Sequence, residues 1–443
     1  MSRRRALVTF AQGASIGTLV GLACGAASAL FLVLLERATS TREAHGALVY
    51  ALPVAGLAMG LVLDRYGAKV AAGTNLVIDT IHDGGPRIPL RMAPIALLGT
   101  VATHLFGGSA GREGTAVQVG ASIADEIAHR LRVAPPLRAH LLAAGVAGGF
   151  GAVFGTPVAG AVFGLEFVVL GRLQYGALFP ALVASFVGDL VTRALGVDHL
   201  AYPTVAALPF TLPTAARWCA FAVGIALAAR LFVDLTHAVR RGSTRWLPRA
   251  SLRLAAGGLL VVAMTLALGT SDYLGLGLPG ILHAFTSADG GWTAAAWKLL
   301  FTVVTVGVGF IGGEVTPLFF VGATLGSALA SALGLPIALG AAVGLAAAFG
   351  GAANTPLAVS ILAVELFGGA VLPHVAFVSV LVYLLTGHRS VYGAQRVVHT
   401  KGGVRLPAPR AMHDFGDRRG HARAPDGINR PPAPGDDDAP SSR

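Results

Sequence analysis

Long uncharged runs dominate the pattern of hydrophobic and polar positions. Residues 14–35, 92–111, 139–165, 173–188, 254–271, 315–364 and 366–387 contain no Asp, Glu, Lys or Arg. A helix needs about 20 apolar residues to cross a ~30 Å hydrocarbon core, and Ala14–Leu35 meets that length, so it predicts the first membrane helix. Arg3, Arg4 and Arg5 ahead of it and Ala27-Ser28-Ala29 within it imitate a secretory signal. The run is, however, longer than the ~7–15 residues of a signal core. The 50 residues of 315–364 must form two or more helices, and Gly334-Leu335-Pro336 and Asn354-Thr355-Pro356 divide them. The resulting pieces are shorter than a full span. A helix that ends inside a membrane leaves unpaired backbone groups, tolerated only against protein or a cavity, so such breaks point to a binding site.

Composition turns these runs into a class. The 443 residues are 54% hydrophobic and 12% charged, and mean hydropathy is +0.69. Soluble domains carry about 25% charged residues. The expectation is an all-α polytopic membrane protein, which excludes a cytoplasmic one- or two-domain protein and disorder over most of the chain. The 59 glycines and 24 prolines suit closely packed, broken helices. The net charge of +11 is concentrated at the N-terminus, in the tail and in residues 239–253, where Arg240, Arg241, Arg245, Arg249 and Arg253 occur without an acid. Loops rich in Arg stay on the cytoplasmic side, so this loop and both termini are expected there. The charge does not imply nucleic acid. Cys24 and Cys219 lie apart in apolar stretches and read as packing residues. Residues 401–443, with eight Lys/Arg, six Asp and seven prolines, are expected to be a disordered cytoplasmic tail. The organisation predicted is an N-terminus at 1–13, membrane repeats at 14–200 and 201–400, and the tail.

The two repeats are marked by landmarks recurring in order. Gly111-Arg112-Glu113-Gly114-Thr115 is followed by Val119-Gly120-Ala121, Thr156-Pro157-Val158-Ala159 and Glu166. About 200 residues later come Gly312-Gly313-Glu314-Val315-Thr316-Pro317, Val321-Gly322-Ala323, Thr355-Pro356-Leu357-Ala358 and Glu365. Four landmarks in register argue for homologous halves around a shared centre.

Ionisable groups inside apolar segments are candidates for function. Glu113 and Glu314 each follow glycine-rich backbone and open a helix, with Pro317 placed as the first residue of the second. A helix N-terminus offers free N–H groups and a positive dipole end to an anion. Two such termini meeting at mid-membrane make an anion site without a lysine. A carboxylate there competes with the anion, and one that also takes up a proton could exchange anions for protons. Glu166 and Glu365 are expected to stabilise helix packing by hydrogen bonding, and Arg112 to pair with backbone carbonyls or an acid. His104 and His374 stand alone on apolar helices and form no metal site. No cofactor is implied.

These residues resemble a family. Gly111-Arg112-Glu113-Gly114-Thr115 is similar to the G-R-E-G-P signature of the CLC chloride channels and proton antiporters, and Gly313-Glu314-Val315-Thr316-Pro317 stands in place of their G-x-F-x-P signature. The resemblance covers about residues 14–395. It implies a homodimer with one pore per subunit, inverted-topology halves of broken, tilted helices, and Glu113 as gating glutamate. The family's chloride-binding serine falls near Gly73-Thr74-Asn75, with Asn75 at that place, and its vestibule tyrosine falls on Tyr392. Phe167 fills the position of the internal proton glutamate, with Glu166 just before it. Together with Glu314 and Thr316, these departures resemble the fluoride-exporting branch, which exchanges fluoride for protons. The resemblance therefore implies gating and proton coupling at Glu113 and Glu314, and anion binding at Asn75, Gly111, Arg112, Gly114, Thr115, Val315, Thr316 and Tyr392. It also implies a multi-pass protein of the bacterial inner membrane, with fluoride, protons and the lipid bilayer as its partners.

Fluoride is small, strongly hydrated and a good acceptor, so amide and hydroxyl donors can replace its water. The alternative is a chloride channel or chloride/proton antiporter of the same family. A remote alternative arises from Gly107-Gly108-Ser109-Ala110-Gly111, a G-x-S-x-G match suggesting an intramembrane serine protease with His104 as base.

Overall fold

The computed structural model describes residues 3–415 apart from 68, 69, 86 and 207, with side chains from Gly13 onward. Sixteen α-helices follow one another among the described residues. The first half contains α1 (Arg3–Ala44), α2 (Leu52–Tyr66), α3 (Thr74–Asp83), α4 (Met92–Leu105), α5 (Glu113–Arg130), α6 (Pro135–Phe154), α7 (Pro157–Glu166) and α8 (Leu178–Ala194). The second contains α9 (Leu212–Trp246), α10 (Ala250–Leu268), α11 (Leu278–His283), α12 (Gly291–Gly307), α13 (Val315–Ala332), α14 (Ile337–Ala353), α15 (Pro356–Phe367) and α16 (Leu372–Leu385). Seven stretches are long and apolar enough to cross a membrane, while Met92–Leu105, Pro157–Glu166, Ile337–Ala353 and Pro356–Phe367 are shorter apolar helices. A chain of this kind is a multi-pass membrane protein.

The helix breaks fall where Gly, Pro and Asn punctuate the runs. Helix α14 ends at Asn354, which adopts φ 59°, and Pro356 then opens α15. Helix α6 ends in the same way at Gly155, φ 72°, before Pro157 opens α7. A left-handed C-cap is natural for glycine and tolerated by asparagine. Asn354 is held there by its Nδ2, which donates to the Arg389 carbonyl at 2.9 Å and to Gln395 Oε1 at 2.8 Å.

Close backbone approach repeats in both halves. A Cβ on Gly120 of α5 would collide with the Gly145 carbonyl of α6, and one on Gly322 of α13 would collide with the Gly344 carbonyl of α14. Small residues at such crossings let helices in lipid gain dispersion contact that no hydrophobic driving force supplies.

Glu166 and Glu365 tie the halves together reciprocally. Glu166, at the end of α7, accepts from the Leu357 and Ala358 amides opening α15, at 3.1 and 2.8 Å. Glu365, near the end of α15, accepts from the Val158 and Ala159 amides opening α7, at 3.0 and 2.8 Å. Each carboxylate thus satisfies orphan N–H groups at the other half's helix N-terminus, the packing role expected of both. Glu166→Ala should lower stability by about 2–4 kcal/mol, since a hydrogen bond to a charged group contributes roughly 1.5–3 kcal/mol. Glu365→Ala should cost less, because Glu365 is less buried than Glu166. Thermal unfolding followed by size exclusion would check this order, and equal midpoints would refute it.

Three expectations change. The basic segment 239–253 is not a loop, because α9 continues to Trp246 and α10 begins at Ala250. Cys24 is buried, but Cys219 is exposed on α9 rather than packed. The tail is structured as far as Phe415: a three-stranded sheet joins β1 (Val169–Leu170), β2 (Arg396–His399) and β3 (Arg405–Ala411), parallel between the first pair and antiparallel between the second. Met412 packs with Leu170 and Val397. Lys401 Nζ donates to the Tyr383 carbonyl at 2.5 Å and to Thr386 Oγ1 at 3.1 Å, and burial pushes its ammonium down to about 7. Composition counts prolines and charges but misses this pairing, in which β3 places Pro407 and Pro409 on an edge strand, where proline is tolerated. The remainder of the expected tail, 416–443, lies outside the described residues.

Candidate functional site

The two signatures meet in space. Gly111 N donates to the Gly313 carbonyl at 2.6 Å and Gly313 N to the Gly111 carbonyl at 2.8 Å, an antiparallel bridge between the halves. A Cβ on Gly111 would press on Glu113 Oε2 at 2.9 Å and on Pro317 Cδ at 3.0 Å, so glycine is required for this approach. The bridge brings the N-termini of α5 and α13 together.

The Glu113 carboxylate fills the junction and is fully buried. Its Oε2 accepts from the Thr316 amide at 3.2 Å and from the Arg112 amide at 3.1 Å, and its Oε1 accepts from the Thr316 hydroxyl. Arg112 Nε stands 3.6 Å from Oε1. The carboxylate therefore sits on donors of the kind an anion would use, one pair of them supplied by the opposite half. Arg112 pairs with an acid, as expected of it.

A cavity of about 490 Å³ lies beside this junction. Asn75, Glu314 and Tyr392 line it, as do Gln118, Arg240 and Arg253. Asn75 Oδ1 accepts from the Ala394 amide at 2.9 Å, so its Nδ2 is the end left to donate. Tyr392 is buried, its ring edge-on to Phe167 at 6.1 Å. Glu314 is the N-cap residue of α13, with no capping bond from its side chain. Asp64 shares this wall with the two arginines, its carboxylate accepting from the Ala250 and Ser251 amides at 2.9 and 3.1 Å.

Other candidates fall elsewhere. Thr115 is buried with its hydroxyl 2.5 Å from that of Thr100, so that oxygen is engaged away from Glu113. Gly114 packs against the Gly313 backbone, and Val315 is buried in the first turn of α13. Pro317 is the third residue of α13 rather than its first, a position still within the turn whose N–H groups lack helical partners. Gln118 was missed, although it is a long polar side chain one turn into α5 from Glu113; its Nε2 is 3.5 Å from Thr74 Oγ1. Arg240 and Arg253 were read only as topology signals. Ser109 Oγ meets Thr302 Oγ1 at 2.9 Å, while both His104 nitrogens face carbonyls, those of Thr100 at 2.8 Å and Ala110 at 3.0 Å. No serine–histidine dyad forms.

Broken helices that bring two N-termini and a carboxylate together beside a polar cavity define a membrane protein for anion passage. The sequence pattern described as "Voltage gated chloride channel" matches residues 55–387, and the chain belongs to this CLC family of channels and transporters, which are not enzymes. The "Chloride/fluoride channel protein" of Pseudomonas syringae pv. tomato is 44% identical over 426 residues, covering 95% of this chain and 94% of that protein. A crystal structure of a CLC-type fluoride/proton antiporter superposes with a TM-score of 0.84 at 33% identity, covering 90% of this chain and all of that one. A slow cyanobacterial Cl⁻/H⁺ antiporter shares the fold, with a TM-score of 0.73 at 18% identity, covering 84% of this chain and 94% of its own.

Proposed function

We propose that the protein exports fluoride in exchange for protons. The observation that carries this reading is the Glu113 carboxylate seated on the Thr316 hydroxyl and amide and the Arg112 amide. Fluoride, compact and a strong acceptor, can take the same donors when the carboxylate is protonated and leaves. Protonation removes the charge that binds Glu113 there, so anion entry and proton uptake exclude the ionised state together. Asn75, Gln118 and Thr316 supply hydrogen-bond donors that favour the small anion, and Arg240 and Arg253 draw it to the inner mouth. The fluoride/proton relative of similar structure supports this reading over chloride transport. Residues 14–200 and 201–400 serve as the two repeats, the basic α9–α10 corner and both termini face the cytoplasm of a bacterial inner membrane, and two copies form a homodimer.

Purified protein in proteoliposomes should move fluoride at least tenfold faster than chloride, with proton movement in the opposite direction. Flux electrodes and a pH electrode read side by side decide the matter. Equal fluxes of the two ions would favour a chloride transporter.

A further inference from the structure

A second cleft opens on the other side of the inner mouth. Its volume is about 640 Å³, and three elements remote in sequence build it: the end of α9, the loop after α16, and the turn that follows β3. Arg241 comes from α9, His388 and Arg389 from the loop, and His413 from the turn. Arg240 lines the anion cavity and Arg241 lines this cleft, so the two chambers share the wall of one helix.

Two guanidiniums, three imidazoles and one carboxylate, Asp234, line the cleft. The Arg241 carbonyl accepts from Thr244 Oγ1 at 3.1 Å, while its guanidinium makes no hydrogen bond or ion pair among the described residues. Arg389 holds Asp234 through Nε, at 2.8 Å to both carboxylate oxygens, which neutralises that acid and leaves the terminal nitrogens of Arg389. His413 Nδ1 donates to the Gly393 carbonyl at 2.9 Å, and its Nε2 is 3.3 Å from Asp414. The His388 ring stacks on Phe415 with centroids 4.9 Å apart. An unpaired planar guanidinium beside a second arginine suits a tetrahedral oxyanion, because its fork matches two oxygens at once. The volume lies within the ~300–1,000 Å³ range of small-molecule sites.

We infer that this cleft binds a phosphate-bearing ligand through Arg241 and Arg389 and that its occupancy acts on the anion cavity through Ser390. His237 Nε2 donates to the Ser390 carbonyl at 2.8 Å, and Ser390 Oγ accepts the Tyr392 amide at 3.0 Å. A ligand drawing on α9 or on the loop therefore shifts the residue that fixes Tyr392, a wall of the anion cavity. The phosphate can come from a soluble nucleotide or from an anionic lipid headgroup, since the cleft sits where α9 ends.

Binding is tested independently of transport, on the full chain in detergent without fluoride. Calorimetric titration with inorganic phosphate and with ATP tests the soluble source. Native mass spectrometry after extraction from phosphatidylcholine vesicles, with and without phosphatidylglycerol, tests the lipid source. Saturable binding in either arm, weakened at least tenfold by Arg241→Gln and less by Arg241→Lys, is the expected result. Arg389→Gln provides a second variant should Arg241→Gln fail to give monodisperse protein. Absence of binding in both arms, or binding left unchanged by either variant as monodisperse protein, overturns the site. In proteoliposomes, the saturating ligand should change anion flux at least twofold in the wild type and not in Arg241→Gln. Unchanged wild-type flux would overturn the link to Tyr392 while leaving fluoride transport itself intact.

Discussion

Replacing Glu113 with glutamine or alanine should abolish proton-driven fluoride movement. The carboxylate occupies donors from both halves at once: the Thr316 hydroxyl and amide on α13 and the Arg112 amide ahead of α5. In the proposed cycle the ionised carboxylate competes with the anion for these helix-terminal donors, and the protonated one loses the charge that holds it and carries a proton away. Glutamine keeps the shape but cannot titrate, so the exchange cycle stops. Alanine removes the plug as well, and a residual passive flux of fluoride, indifferent to pH, is then expected. The measurement is fluoride accumulation in vesicles supplied only with a proton gradient. Accumulation against the fluoride gradient in either variant would sink the idea, because another group would have to carry the proton.

Much of this site is legible in the chain because its parts are local. Glycine runs before Glu113 and Glu314, and Asn354 or Gly155 before a Thr-Pro pair, mark helix ends through backbone chemistry that does not depend on neighbours. The family resemblance singled out Thr316 and Asn75, and the fold brings Thr316 onto the carboxylate and Asn75 to the cavity wall. Partners across the structure are another matter. Nothing near Thr115 in sequence shows that Thr100 engages its hydroxyl, and nothing near Glu166 shows that its acceptors meet α15 while Glu365 answers on α7. Composition also misjudged the segment after Lys401, since a strand of proline and arginine gains order from pairing with β2, a non-local contact. Residues 239–253 followed the same logic in reverse: a run of arginines reads as loop, yet arginine is a good helix former and α9 carries most of them.

Glu314→Gln should lower exchange turnover at least tenfold, or uncouple it from protons, while leaving the folded assembly unchanged on size exclusion. The residue caps α13 by position yet makes no capping bond, so its side chain is not needed to build the helix end. It lines the cavity with Asn75, Tyr392 and Arg240. Under the proposed exchange, a carboxylate in that place would face the same fluoride that Glu113 releases or admits, and its charge would set how readily protons and anions share the mouth. Glutamine preserves volume and hydrogen bonding, so a loss of rate reports the missing charge or proton rather than a packing fault. Tenfold corresponds to about 1.4 kcal/mol in the barrier, a modest demand on one charge. Comparing fluoride flux and simultaneous proton flux in the variant separates the two effects: a fall in both at constant ratio means slower passage, and a changed ratio means lost coupling. Wild-type rates at the wild-type ratio would reduce Glu314 to a residue of the helix end.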